Sequence, residues 1–217
     1  MKLQLIVIAF ILSIAGSAFA SFSSTYDVTV NTGNLGLSGQ SGYLYLVYGQ
    51  NGGVASTATV SSFTTGGGSL GAQDTVDVVN GSAVTGTLPG SVVFANTNSV
   101  NDYNQAITLG STINFLLTFN SNSIPGSSSG PFGSSTGAST FSLSLYADQY
   151  GNTALVNSNG VNNSVPGEAI AINLNDNGTT SVTPYVAQAT ATPIPAAAYL
   201  FGSGLLGLVG IRRKIIN

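Results

Sequence analysis

The sequence predicts an all-β protein: an antiparallel β-sandwich, jelly-roll-like or immunoglobulin-like, flanked by an N-terminal signal peptide and a C-terminal transmembrane helix. Apolar residues recur at every second position in many short segments. Gly, Asn and Ser separate these segments, as expected for turns between strands. No interior segment carries the 3.6-residue apolar stripe of an amphipathic helix. Many short strands with such punctuation are typical of sandwiches.

Strands are predicted where the alternation is most regular, at residues 26–30, 113–119, 141–145 and 170–174. Residues 42–48 are apolar on both faces, which predicts a central strand. Further strands are expected at residues 55–63, 83–88, 91–95, 105–109 and 181–186. The Gly/Ser-rich segments 64–71 and 121–139 are predicted to be mobile loops, and residues 148–152 a hairpin loop.

The first twenty residues have the features of a secretory signal peptide. Lys2 precedes an apolar run, and the small residues Ala18 and Ala20 stand three and one positions before Ser21. Signal peptidase cleaves after such small residues. Residues 1–20 are therefore set apart from a body of residues 21–182.

The chain has a second apolar segment near its C-terminus. Residues 196–211 carry no charge, and Arg212, Arg213 and Lys214 follow directly. This arrangement predicts a transmembrane helix over 196–211, with the basic residues held in the cytoplasm and the body outside it. Residues 183–192, which include Pro184 and an Ala-Thr repeat, are predicted to form an extended tether ahead of this segment.

The C-terminal segment combines a proline motif, a small-residue apolar run and a basic end. Pro193, Ile194, Pro195 and Ala196 form the motif, followed by 197–208 with several Gly and Ala. Residues 193–217 resemble the sorting signal of PEP-CTERM proteins, in the variant that reads Val-Pro-Leu-Pro-Ala, although Thr192 and Ile194 differ from it. The resemblance implies export, transient anchoring in the inner membrane of a Gram-negative bacterium, and cleavage at the motif by an exosortase-type membrane protease. Release to the cell surface or extracellular matrix would follow, unless the tail is retained as an anchor.

The residue types that are missing exclude several functions. The chain has no His and no Cys, so catalytic triads with His, thiol nucleophiles and imidazole or thiolate metal sites are excluded. Between residues 21 and 211 there are seven acidic and no basic side chains, which excludes nucleic-acid binding and phosphate clamps. A two-carboxylate glycosidase would have to use acids such as Asp74 and Asp77, which lie beside a Gly-rich segment without an aromatic subsite pattern.

Calcium is the cofactor that the remaining chemistry allows. Asn173, Asn175 and Asp176 place oxygen-bearing side chains around a turn, and hard cations bind such oxygens. A hairpin turn at Asn177-Gly178 would account for the same residues without a metal. Asp74 and Asp77 form a second calcium candidate.

These observations predict a non-enzymatic exported protein of the cell surface or of an exopolysaccharide-rich biofilm matrix. Charged residues make up 5% of the chain, so its surface polarity depends on Ser, Thr, Asn and Gly. Such a surface suits contact with neutral exopolysaccharide or self-association through strand edges. The alternative is a calcium-dependent carbohydrate-binding module, in which some of the nine tyrosines would contact sugar.

Overall fold

Twelve β-strands make up the secondary structure of the computed structural model. It describes residues 22–50, 55–74, 83–121, 138–156, 166–175 and 179–192. The strands are β1 (Phe22–Val30), β2 (Ser41–Gln50), β3 (Ser56–Thr64), β4 (Ser69–Asp74), β5 (Val84–Gly86), β6 (Val92–Ala95), β7 (Val100–Thr108), β8 (Ile113–Ser121), β9 (Ala138–Tyr146), β10 (Glu168–Asn175), β11 (Thr180–Pro184) and β12 (Ala187–Ala191). Among the described residues none is helical, so none forms a helix that could cross a membrane.

The strands form two six-stranded sheets in which all neighbouring strands described here pair antiparallel. Sheet A has the order β12-β1-β8-β3-β6-β5, and sheet B has the order β11-β10-β9-β2-β7-β4. The pairs β1–β8, β2–β7 and β3–β6 are nested: within β1 to β8, the first strand pairs with the last, the second with the second last, and the third with the third last. The predicted all-β antiparallel class is confirmed. The predicted central position of residues 42–48 is confirmed too, since β2 lies between β9 and β7.

The core lies between the two sheets and is made by the alternating apolar residues. Phe141 of sheet B is fully buried, with its ring centroid 6.1 Å from those of both Phe94 and Phe115 of sheet A. Tyr48 of β2 packs on Phe119 of β8 at 5.9 Å. Ring contacts therefore cross the interface, and the period-2 pattern of the sequence is the inward face of each strand.

A buried polar network adds a second connection between the sheets. The Tyr48 hydroxyl hydrogen-bonds Ser56 Oγ at 2.6 Å, the Ser56 N–H donates to Asn96 Oδ1 at 2.7 Å, and Asn96 Nδ2 donates to Ser139 Oγ at 2.8 Å. Burial raises the pKa of Tyr48, so its hydroxyl stays protonated and available to this network. Satisfied buried networks of this kind fix the relative position of the elements that they join.

Two segments predicted to be loose are ordered parts of the sandwich. Residues 64–71, predicted to be a mobile loop, form a tight turn and the start of β4, and Gly66 O accepts the Ser111 N–H at 2.9 Å. Residues 183–192, predicted to be a tether, complete β11 and form β12, which pairs with β1. The sequence pattern does not predict these strands, because their side chains are mostly small or polar, as is common at the edge of a sheet. Residues 122–137 of the other predicted loop lie outside the described residues.

Candidate functional site

The predicted calcium turn is only partly within the described residues, and the side chains of Asn173 and Asn175 make hydrogen bonds across the neighbouring strands there. Asn173 Oδ1 accepts a hydrogen bond from Thr140 Oγ1 at 2.7 Å. Asn175 Nδ2 donates to Thr179 Oγ1 at 3.0 Å, and the Asn175 N–H donates to Thr179 O at 2.8 Å. Asn173 and Asn175 thus act as cross-strand pairs beside a hairpin connection, while Asp176 lies outside the described residues.

The predicted hairpin loop at residues 148–152 is confirmed, and Asp148 organises it. Asp148 Oδ1 accepts the backbone N–H groups of Tyr150 at 3.0 Å and Asn152 at 3.2 Å, and Oδ2 accepts that of Thr153 at 2.7 Å. Partial desolvation raises the pKa of this carboxyl, but the N–H donors outweigh it and hold the pKa below its usual range. Asp148 is therefore a turn residue whose oxygens are already used.

The protein should lose stability in acid as Asp148 becomes protonated. Because its pKa is lower in the folded chain, its stabilising contribution is complete above the pKa of the unfolded state and is lost as the pH falls through the folded value. We expect Asp148→Asn to lower the free energy of unfolding at neutral pH, and the difference from wild type to shrink below about pH 4. Urea unfolding at several pH values measures this, and a pH-independent difference would contradict it.

The tyrosines of β2 do not form an exposed aromatic platform. Tyr48 points into the core, whereas Tyr43 and Tyr45 lie on the outer face of sheet B. Tyr45 packs edge-on against Tyr146 at 5.0 Å, and its hydroxyl donates to Gln149 O. Tyr150 is the one tyrosine among the described residues that is largely exposed, at 63%. Stacking on sugar rings would therefore depend on a single loop residue.

The outer face of sheet A instead carries mainly hydroxyl and amide groups. Strand pairing places Thr25 beside Thr118, Thr118 beside Thr59, Thr59 beside Val93 and Val93 beside Thr85. We call Thr25, Thr118, Thr59 and Thr85 the threonine row. The other described side chains of this face include Ser23, Asp27, Thr29, Thr57, Ser61, Thr64, Ala95, Asn114, Leu116, Asn120, Gln188 and Thr190.

This face has a regular geometry and almost no charge. Neighbouring strands are about 4.8 Å apart, and residues on one face recur about every 6.7 Å along a strand. Thr25 Oγ1 and Thr118 Oγ1 are 3.0 Å apart, and Thr29 Oγ1 donates to Asn114 Oδ1 at 2.9 Å, so cross-strand hydrogen bonds hold several rotamers. Asp27 is the one charged group among the described side chains of the face. Sequence reasoning missed this site because it depends on register between distant strands.

The remaining predicted functional residues lie outside the described residues. These are the signal-cleavage residues Ala18 and Ala20, the sorting motif Pro193, Ile194, Pro195 and Ala196, the basic residues Arg212, Arg213 and Lys214, and Asp77. The described part ends at Thr192, whose N–H donates to Thr25 O at 2.9 Å. No group of three or more acidic side chains in position to share a metal ion occurs within the described ranges.

No protein-family model matches this chain, and no curated protein or solved structure matches it either.

Proposed function

We propose that this chain is an exported, non-enzymatic protein of the cell surface or exopolysaccharide matrix, and that the outer face of sheet A binds neutral polysaccharide. The threonine row is the observation that supports this proposal most directly. The hydroxyls of Thr25, Thr118 and Thr59 lie side by side on three adjacent strands, on a surface that is nearly uncharged. A neutral polysaccharide offers a matching series of hydroxyl donors and acceptors and requires no charged partner.

The nested strand pairs support a further part of the proposal, that the sandwich is of the jelly-roll type. Jelly rolls consist of two sheets made from Greek-key connections, and they occur widely in lectin domains. The order β1-β8-β3-β6 in sheet A and β2-β7-β4 in sheet B is the arrangement that such nesting generates. In a jelly-roll frame the outer face of each sheet points away from the core.

Delivery would use the two ends of the chain. Residues 1–20 would direct export, and residues 193–217 would hold the protein in the inner membrane until an exosortase-type protease cleaves near Pro193–Ala196. The position of Thr192 supports this order, because the folded body extends to the residue just before the proline motif. Residues 183–192 therefore belong to the folded body and do not act as a tether.

Expression of the full chain in a Gram-negative host with an exosortase and an exopolysaccharide tests both parts. We expect the chain in the matrix fraction to end near Pro193–Ala196 by intact mass. Thr25→Val, Thr59→Val and Thr118→Val together keep the shape of the threonine row but remove three hydroxyls. Each lost hydrogen bond is worth about 0.5–1.5 kcal/mol, so polysaccharide affinity should fall about tenfold or more.

Thr183→Val is the matched control, since Thr183 lies on the outer face of sheet B. It should leave matrix retention unchanged. Equal retention of the triple variant and wild type would refute the binding surface. Full-length protein in the matrix fraction would instead refute cleavage.

A further inference from the structure

Asp74, Asp102 and Asn104 form a cluster of oxygen-bearing side chains on the outer face of sheet B. Asp74 ends β4 and pairs directly with Asn104 of β7, and Asp102 lies two residues from Asn104 on the same face of that strand. Directly paired side chains have Cβ atoms about 5 Å apart, and diagonal neighbours about 7 Å. Carboxylate and amide groups at these separations can converge on one ion.

The cluster is buried although it faces away from the core. Asn104 is 3% exposed and Asp102 is 8% exposed. Outward-facing polar residues of a sandwich are ordinarily solvated, and burying a carboxylate is costly unless a positive group compensates it. The residues that the structure describes include no basic side chain that could supply such a group.

Asn104 gives an independent indication of a ligand. Its Oδ1 atom is buried and accepts no hydrogen bond in the part of the chain that the structure describes. Leaving a buried acceptor unsatisfied costs about 1–3 kcal/mol, so native proteins rarely do so without a reason. The orphaned oxygen belongs to the residue that pairs with Asp74, where a cation would satisfy it.

We propose that Asp74, Asp102 and Asn104 bind a calcium ion. Ca²⁺ takes six to eight oxygen ligands and accepts carboxylates, amide carbonyls and waters in irregular arrangements. Two carboxylates and one amide oxygen with waters form a low-charge site of the kind found in extracellular modules, with a dissociation constant of about 10⁻⁴–10⁻³ M. The site differs from the turn at Asn173 and Asn175, and it does not depend on the proposed polysaccharide surface.

Terbium(III) luminescence tests the site in the full chain. Tb³⁺ replaces Ca²⁺ at oxygen sites and emits when a nearby tyrosine is excited, and Tyr45 pairs with Asn104 on the same face of the sheet. We expect sensitised emission that Ca²⁺ displaces. Asp74→Asn and Asp102→Asn should each weaken Ca²⁺ competition about tenfold or more, because each removes a charged ligand. Asp27→Asn removes the same charge from the outer face of sheet A and should leave the Ca²⁺ competition for bound Tb³⁺ unchanged.

Asn104→Asp separates a metal site from a structural role. A third carboxylate should strengthen Ca²⁺ binding about tenfold and make the melting temperature more dependent on Ca²⁺ than in wild type. If the Asn104 amide instead donates to Asp74, this variant is destabilised and Ca²⁺ does not rescue it, which would overturn the proposal. Emission unaffected by all three variants, or reduced equally by Asp27→Asn, would overturn it as well.

Discussion

Phe141→Ala should lower the free energy of unfolding by about 3–5 kcal/mol. Phe141 is fully buried in β9, and its ring contacts Phe94 and Phe115 of the opposite sheet. Removing it loses the burial of a large apolar group and opens a cavity where the two sheets meet, which surrounding side chains fill only in part. A loss of this size is a large fraction of the 5–15 kcal/mol by which most domains are stable.

Urea unfolding measures the effect as a lower midpoint with an unchanged dependence on denaturant. Tyr150→Ala is the matched control, because Tyr150 is also aromatic but is 63% exposed. It should shift the free energy by less than about 0.5 kcal/mol. Similar losses in both variants would show that Phe141 does not join the two sheets as described.

Gly68→Ala should destabilise the fold by about 3 kcal/mol or more. Gly68 ends the turn between β3 and β4, where the chain passes from sheet A to sheet B. A Cβ there would lie 2.1 Å from Thr108 O and 2.5 Å from the Gly110 N atom. Thr108 is the last residue of β7 and Gly110 lies in the return crossing from β7 to β8, so neither backbone atom can move away without disturbing a strand.

Gly67→Ala in the same turn separates this clash from backbone strain. Gly67 has a φ of +94°, which disfavours a side chain, but nothing lies within 4 Å of a Cβ placed there. We expect a loss of about 1 kcal/mol from the dihedral alone. Thermal or urea unfolding of the two variants should therefore differ clearly, and equal losses would show that the crossings do not touch.

The fold class could be predicted because the core strands carry their own signal. β8 alternates without a break from Ile113 to Phe119, and its inward residues are all buried. β4 and β12 could not be predicted, because SLGAQD and AQATA have too few apolar residues to show a period. Edge strands are held mainly by backbone hydrogen bonds to a neighbour, and a single sequence does not reveal that neighbour.

The candidate sites were hidden for a related reason. The sequence places Asp74 close to Asp77, but β4–β7 pairing places it against Asn104. The threonine row joins residues from four strands, each with an ordinary Thr in its own context. Local patterns predict which face of a strand is polar, whereas register between strands determines which polar groups meet.

The pairing of β12 with β1 also determines how the folded body would respond to tension. Thr192 and Thr25 meet at one end of this antiparallel pair, so a force applied through Phe22 and Thr192 would pull the two strands apart from that end. The cross-strand hydrogen bonds would then break one after another rather than together. β1 is additionally held to β8 by nine residue pairs, so β12 would detach first. Strand β12, which ends just before the predicted cleavage motif, is thus the mechanically weak part of the fold. Its detachment would present an extended strand to a protease while the core stays folded.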